Sequence, residues 1–252
     1  MPTCRQVLDA ATFCPRDGAR LVAALGPGTV LGLRYQLIRK VGAGGMGEVY
    51  QAEHAFLDCR VAVKVLRDSI AADPAAVTRL QREAHTTSSL GHPNIVDCFD
   101  FGHADDGQVY LVMDWLDGEN LKQSPARAPI DLETALDITA QTAAGLAEAH
   151  ARGIIHRDLK PANLFLTVDR DGALLVKVVD FGIAKLAAPP TNLTAANALV
   201  GTPSYMAPEQ VLGDDVDART DVYGLGVILY EMTTGVAPFR ADSPMLVMHQ
   251  HT

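Results

Sequence analysis

The sequence predicts an α+β fold with its strands in the first half and its long helices in the second. Three observations predict it. Short apolar runs suited to strands fill Tyr35 to Met113 and are interrupted by one helical pattern, Pro74 to Leu90. Two longer helical patterns come later, Asp131 to Arg152 and Arg219 to Thr234. Between them lies His156-Arg157-Asp158-Leu159-Lys160-Pro161-Ala162-Asn163, flanked by apolar Ile154-Ile155 and Leu164-Phe165-Leu166, which reads as strand, tight loop, strand. A structural turn seldom needs an acid, two bases and an amide so close together, so this loop is the centre of the expected chemistry.

The chain has 252 residues, 48% of them hydrophobic, enough for one large domain or two lobes. Its net charge of -9 argues against a partner held by nucleic-acid phosphates, which calls for a basic face. Four scattered cysteines, Cys4, Cys14, Cys59 and Cys98, do not make a disulfide scaffold and point to a reducing compartment. The N-terminus shows no basic stretch followed by an apolar one, and no apolar run approaches the roughly 18 residues of a membrane span. The expectation is a soluble, cytoplasmic chain without a membrane segment.

Residues 1–28 read as a leader and linker. Cys4 and Phe13-Cys14-Pro15-Arg16-Asp17 are similar to a degraded zinc ribbon, with Met1 and Asp17 where ligands would stand. Two thiolates and a carboxylate make at most a weak Zn2+ site at Cys4/Cys14, and a flexible leader is the favoured reading. Gly26-Pro27-Gly28 then punctuates the chain.

Strand Tyr35–Val41 leads into Gly42-Ala43-Gly44-Gly45-Met46-Gly47. A dinucleotide-binding fingerprint would start a helix at the last glycine, but Glu48 to Glu53 alternates like a strand. A Walker A loop would continue with Lys-Ser/Thr, and Glu48 stands there instead. The remaining reading is a glycine-rich hairpin, where missing Cβ atoms let backbone N–H groups approach a phosphate. A plain surface hairpin would explain the glycines but not their spacing to the next strand. That strand, Val61-Ala62-Val63-Lys64-Val65-Leu66, carries one lysine among apolar residues, costly to bury unless paired. Val77, Leu80 and Ala84 give the next helix an apolar face, with Glu83 near it.

Two strands ending at Met113 precede Asp114-Trp115-Leu116-Asp117-Gly118. In the helix 131–152, Leu132, Leu136, Thr139, Ala143, Leu146 and His150 are expected on one stripe, with Asp131 as N-cap and Gly153 as C′ residue. Strand Leu174–Val179 delivers Asp180-Phe181-Gly182, seventeen residues after Asn163. Residues 186–200 lack periodicity and read as a mobile segment before Gly201-Thr202-Pro203-Ser204-Tyr205-Met206-Ala207-Pro208-Glu209.

The loop at His156 fits the pattern H-R-D-L-x-x-x-N, and with Asp180-Phe181-Gly182 and Ala207-Pro208-Glu209 it occurs in the expected order. From Tyr35 to Thr252 the chain resembles eukaryotic-like (Hanks-type) serine/threonine protein kinases, particularly bacterial ones. The resemblance implies a two-lobed protein-kinase-like fold: a small antiparallel β-sheet lobe with one main helix (35–113), a hinge (114–118) and a larger, mainly helical lobe (119–252). It implies a serine/threonine-directed phosphotransferase, Lys160 being the residue that points away from tyrosine.

By the same resemblance Asp158 orients the acceptor hydroxyl and takes its proton, Lys160 neutralises the moving phosphoryl group, and Thr202 contacts Asp158. Asn163 and Asp180 hold Mg2+ or Mn2+. ATP is expected among Val41, Gly42, Gly44, Gly47, Val49, Ala62, Lys64, Glu83, Met113, Asp114, Leu116 and Asp180, with Glu83 pairing Lys64, Met113 as gatekeeper and the backbone of Asp114 and Leu116 meeting adenine. Thr191 and Thr194 are the expected phosphosites, next to Arg157. Expected partners are proteins with serine or threonine acceptors, and a second copy for autophosphorylation. No arginine follows Arg240 to pair with Glu209, so the resemblance implies a C-lobe truncated at its C-terminus. The alternative function is a nucleotide-binding pseudokinase or regulatory module, inactive for that reason.

Overall fold

The computed structural model describes residues 25–44, 47–104, 107–124, 129–181 and 203–252, and leaves the side chains of Glu83 and His85 outside the description. The first lobe is built on six antiparallel strands: β1 (Val30–Leu31), β2 (Tyr35–Ala43), β3 (Gly47–His54), β4 (Cys59–Leu66), β5 (Cys98–His103) and β6 (Val109–Asp114). Their order in the sheet is β1-β2-β3-β4-β6-β5.

Side-chain alternation along β4 explains how this sheet is covered on both sides. Val61, Val63 and Val65 enter one core with Leu31, Tyr35, Leu37, Tyr50, Tyr110 and Val112. Ala62 points the other way, into a second cluster with Ala84, Val96, Cys98, Leu111 and Met113. Lys64, two residues on from Ala62, therefore shares the face that meets the helix and the cleft. After a single turn, α1 (Asp68–Ala71), the helix α2 (Pro74–Ser88) covers that face. Val77, Leu80 and Ala84 are buried on it, as the periodicity predicts.

The second lobe begins with β7 (Glu119–Asn120), which pairs with β8 (Leu164–Val168) and β9 (Leu174–Val178) in a three-stranded sheet. Its helices, among the described residues, are α3 (Leu132–Ala151), α4 (Pro208–Leu212), α5 (Ala218–Thr234) and α6 (Pro244–Gln250). Asp131 caps α3 by accepting from Thr134 N at 2.9 Å, and Gly153 lies just past its end at φ +74°.

The buried stripe of α3 differs from the predicted one. Ala135, Ile138, Thr142, Gly145, Leu146 and Ala149 are buried, whereas Leu132 is 62% and Leu136 50% exposed. The small residues won the interior because α3 comes very close to the neighbouring chain. A Cβ on Gly145 would lie 3.1 Å from Asn94 O. Large leucines cannot occupy that contact.

The two lobes are joined between Asn94 and β9. Val178 N donates to Asn94 O at 2.8 Å and Val96 N to Val178 O at 3.1 Å, around a parallel bridge between Ile95 and Val178. Gln141 ties α3 to the same place, accepting from Asn94 Nδ2 and from Val176 N. The strand that leads to Asp180 is thus fixed relative to both lobes. Glu209 accepts a hydrogen bond from the Thr220 hydroxyl and is half-buried.

Candidate active site

The loop after α3 is folded by its backbone bonds. His156 is fully buried, its Nε2 3.0 Å from Val179 O and its ring 4.9 Å from that of Phe181. It is a packing residue, as is Phe181. Asp221 on α5 is 1% exposed and accepts from His156 N and Arg157 N, each at 2.8 Å, and lies 2.7 Å from His150 Nε2. Arg157 sits at φ +64°, a conformation a non-glycine residue adopts only when its surroundings hold it. Asp221 supplies part of that hold, and Gln210 Nε2 supplies more by donating to Arg157 O at 2.8 Å.

These bonds bring the predicted charged groups together. Lys160 Nζ donates to Asp158 Oδ2 at 2.6 Å, and Asn163 Nδ2 to Asp158 O at 2.9 Å. Asn163 O accepts from Val179 N at 2.9 Å, which sets the loop against the strand leading to Asp180. From the other lobe, Lys64 Nζ donates to Asp180 Oδ1 at 2.6 Å, although 116 residues separate them. Lys64 is 5% exposed.

Burial opposes ionisation of Asp180. The Lys64 charge and its hydrogen bond, with His156 and Lys160 nearby, outweigh that and hold the carboxyl below its ordinary range. Because this value is depressed on folding, the pair's stabilisation is present above the ordinary carboxylate range and is lost as pH falls through the depressed value. Glu83 is on α2, but its side chain lies outside the described residues, and Asp180 is the observed partner of Lys64.

Ala62 and Met113 are buried opposite one another on β4 and β6, Val49 and Leu116 are half-buried, and Val41 is 38% exposed. Among the described residues, Cβ atoms added to Gly42 or Gly44 would meet nothing within 4 Å, so none of those residues requires glycine there. Gly47 has a different reason. A Cβ there would lie 2.0 Å from Val65 O, so the crossing onto β4 alone demands glycine.

Asp114 N donates to Asp97 O at 3.0 Å. At the far end of the hinge, the Asp117 carboxylate accepts from Nη1 and Nη2 of Arg60, at 3.2 and 3.1 Å, while its carbonyl accepts from Thr167. A Cβ on Gly118 would lie 2.0 Å from Leu166 O. Thr202, Thr191, Thr194, Gly182, Cys4 and Cys14 lie outside the described residues.

Comparison with known proteins agrees with this geometry. Residues 35–252 match the protein kinase domain family. The chain belongs to the protein kinase family. Among its relatives, serine/threonine-protein kinase pkn3 of Myxococcus xanthus is 40% identical over 228 residues, covering 89% of this chain and 42% of that protein. Serine/threonine-protein kinase PknB of Mycobacterium tuberculosis is 44% identical over 223 residues, covering 86% and 35%. Serine/threonine-protein kinase Pkn1 of Myxococcus xanthus is 46% identical over 218 residues, covering 86% and 31%. The chain thus spans less than half the length of these relatives. The crystal structure of the Mycobacterium tuberculosis PknI kinase domain is 34% identical with a TM-score of 0.66, covering 88% of this chain and 83% of that one. The two-lobed kinase fold is therefore shown, and the three relatives named above are bacterial serine/threonine-protein kinases.

Within this kinase domain the sequence assigns no role to three supports of the catalytic loop: Asp221, His150 and Gln210. Asp221 carries a usable signal, an acid in an otherwise apolar helical stretch, Val222-Tyr223-Gly224-Leu225. His150 is expected only as a stripe residue, and Gln210 carries no local signal.

Proposed function

We propose that this domain is an ATP-dependent serine/threonine protein kinase, transferring the γ-phosphoryl group of ATP to hydroxyls of protein substrates, including its own. The observation that carries the reading is the convergence of Lys64–Asp180 with Asp158–Lys160, two ion pairs at 2.6 Å drawn from both lobes around one cleft. Phosphoryl transfer needs placed charge and orientation more than covalent help, and that is what these groups offer.

In this reading the acceptor hydroxyl oxygen attacks the γ-phosphorus, the bond from that phosphorus to the bridging oxygen breaks, and ADP leaves. Asp158 orients the hydroxyl and takes its proton. Lys160, now on Asp158 Oδ2, is close enough to share its charge with the moving phosphoryl group. Lys64 holds the α and β phosphates, and the backbone at Gly42 and Gly44 meets them. The Asp114 carbonyl and Leu116 N–H meet adenine, and Met113 closes the back of its pocket.

Asn163 and Asp180 offer hard oxygen donors suited to Mg2+. Among the described residues no group of three His, Cys, Asp or Glu could hold a metal alone, which suits an ion that shares its ligands with substrate phosphates. Magnesium bound there would neutralise phosphate charge. No helix among the described residues is long and apolar enough to cross a membrane.

Phosphoamino-acid analysis of a generic protein substrate, incubated with the domain, ATP and Mg2+, tests the reading. Phosphoserine and phosphothreonine are expected. Phosphotyrosine alone, or no phosphate, contradicts it.

Control by phosphorylation belongs to the same reading. Among the described residues Arg157 Nε is buried without a hydrogen-bond partner, and a nearby phosphate could satisfy the guanidinium in bidentate fashion. Mass spectrometry after incubation with ATP and Mg2+ is expected to find phosphate on Thr191 or Thr194. A Thr191→Ala/Thr194→Ala double variant as active as the parent would sink the idea.

A further inference from the structure

Arg67 stands just past the end of β4, on the strand that carries Lys64, and the proposed chemistry gives it no part. Its Nη2 donates to the Gly44 carbonyl at 2.7 Å. The end of the lysine-bearing strand is thus bonded to the tip of the glycine-rich hairpin formed by β2 and β3.

Alternation along β3 shows which side of the hairpin this bond lies on. Val49, opposite Lys64 in the strand register, packs with Ala62 and Met113 on the cleft side. Glu48 and Tyr50 point the other way. Tyr50 belongs to the outer core with Val63 and Val65, and its hydroxyl donates to Glu48. Glu48 also accepts from Lys40 on β2. Lys40 and Tyr50, with the Arg67 charge nearby, hold the Glu48 carboxyl below its ordinary range. On this outer side a hollow of about 450 Å3 is lined by Ala43, Gly47, Glu48, Val65 and Arg67. Arg67 therefore reaches the hairpin from the side away from the cleft.

The other bonds at the hairpin do a different task. Gly44 N donates to Gly47 O at 2.9 Å, which closes the hairpin on itself. Lys40, Glu48 and Tyr50 tie β2 to β3. These bonds stiffen the hairpin internally. Its ladder to β4 begins at the pair Gly47–Leu66, so Gly42 to Gly44 lie outside that ladder. Among the described residues a Cβ on Gly42 or Gly44 would meet nothing within 4 Å, so close packing does not wedge the tip in place. The Arg67 bond links the tip to β4 across the hollow. A hairpin already held in place loses less ordering entropy when it takes a ligand.

We propose that Arg67 is a positioning residue for the nucleotide: a strut on the outer side of the glycine-rich hairpin that fixes the Gly44 carbonyl relative to β4, sets the height of the hairpin over Lys64, and so tunes affinity for the phosphates but not for adenosine. The inference rests on the kinase reading, in which Lys64 and the hairpin backbone meet the same phosphates, and its test separates the two.

Binding of ATP with Mg2+, and of adenosine, is measured by calorimetry for the parent, Arg67→Ala and Arg67→Lys. Arg67→Ala removes the bond, and Arg67→Lys keeps one donor able to meet a single carbonyl. For Arg67→Ala the Kd for ATP is expected to rise about tenfold, the usual effect of losing one hydrogen bond to a charged group. The Kd for adenosine stays at the parent value. Arg67→Lys recovers most of the loss.

Amide hydrogen exchange without nucleotide reads the strut directly. Gly44, whose N–H is bonded to Gly47 O, exchanges about tenfold faster in Arg67→Ala, while β6 is unchanged. A parent protein that binds no ATP overturns the kinase reading, and exchange still decides the strut. Weaker ATP binding with unchanged exchange at Gly44 shows that Arg67 acts by its charge alone, and overturns the inference. Unchanged ATP affinity, an equal rise in Kd for ATP and adenosine, or a loss in Arg67→Lys as large as in Arg67→Ala overturns it as well.

Discussion

Lys64→Ala is expected to abolish phosphoryl transfer while the domain stays folded. Lys64 is a buried charge on the cleft face of β4, and it pairs with Asp180 at 2.6 Å. Removing one preorganised electrostatic contact to a reacting centre typically costs about 100- to 1000-fold in rate, or about 3–4 kcal/mol. Here the same change also frees Asp180, which is proposed to hold the metal, so the loss should sit at the upper end. The fold should survive because Asp180 keeps about a third of its side chain in solvent and is not stranded in a dry core. Turnover measured beside a thermal melt checks it. Near-parent turnover in a folded variant would show that Lys64 does not face the phosphates.

Asp221→Ala is expected to damage both stability and turnover. The carboxylate is buried and accepts from His156 N and Arg157 N, with His150 as a further neighbour. Truncating one member of a buried charged network commonly costs about 3–5 kcal/mol, because the remaining groups are left dry and unpaired. Whole-domain stabilities are about 5–15 kcal/mol, so a large fall in melting temperature is expected. Arg157 would also lose part of what holds it at φ +64°, and the loop carrying Asp158 should relax. Turnover should therefore be lost even at temperatures where the variant is folded. A variant with the parent's melting temperature and activity would show that the catalytic loop is held some other way.

The parts of this domain legible in its sequence are those where one local pattern had one meaning. The one lysine in the apolar run Val61–Leu66 singled out Lys64, and the order of the polar loop, Asp180 and Ala207-Pro208-Glu209 carried the fold. The α3 stripe was misplaced because its leucines dominate any reading by hydrophobicity, while close approach to Asn94 selected alanine and glycine instead. At Gly47 the structure adds a demand from packing against Val65 O, and such close approaches depend on strand pairing, which local sequence does not display. The loop supports were the least legible. Asp221 and Gln210 reach the backbone of the catalytic loop from 53 to 65 residues away, and His150 acts through Asp221, 71 residues from it, separations at which sequence spacing carries no trace of contact.

The central claim is that Asp158 and its neighbours form a phosphoryl-transfer centre within this chain. The most direct test is single-turnover transfer of γ-labelled phosphate from ATP to a protein acceptor by the parent and by Asp158→Asn, with ATP binding measured on the same samples. Transfer is expected from the parent, with a loss of at least about 100-fold in the variant, as for removing a positioned acid–base group, and equal ATP binding in both. Equal transfer by the two proteins, or ATP binding without transfer by the parent, would contradict the claim.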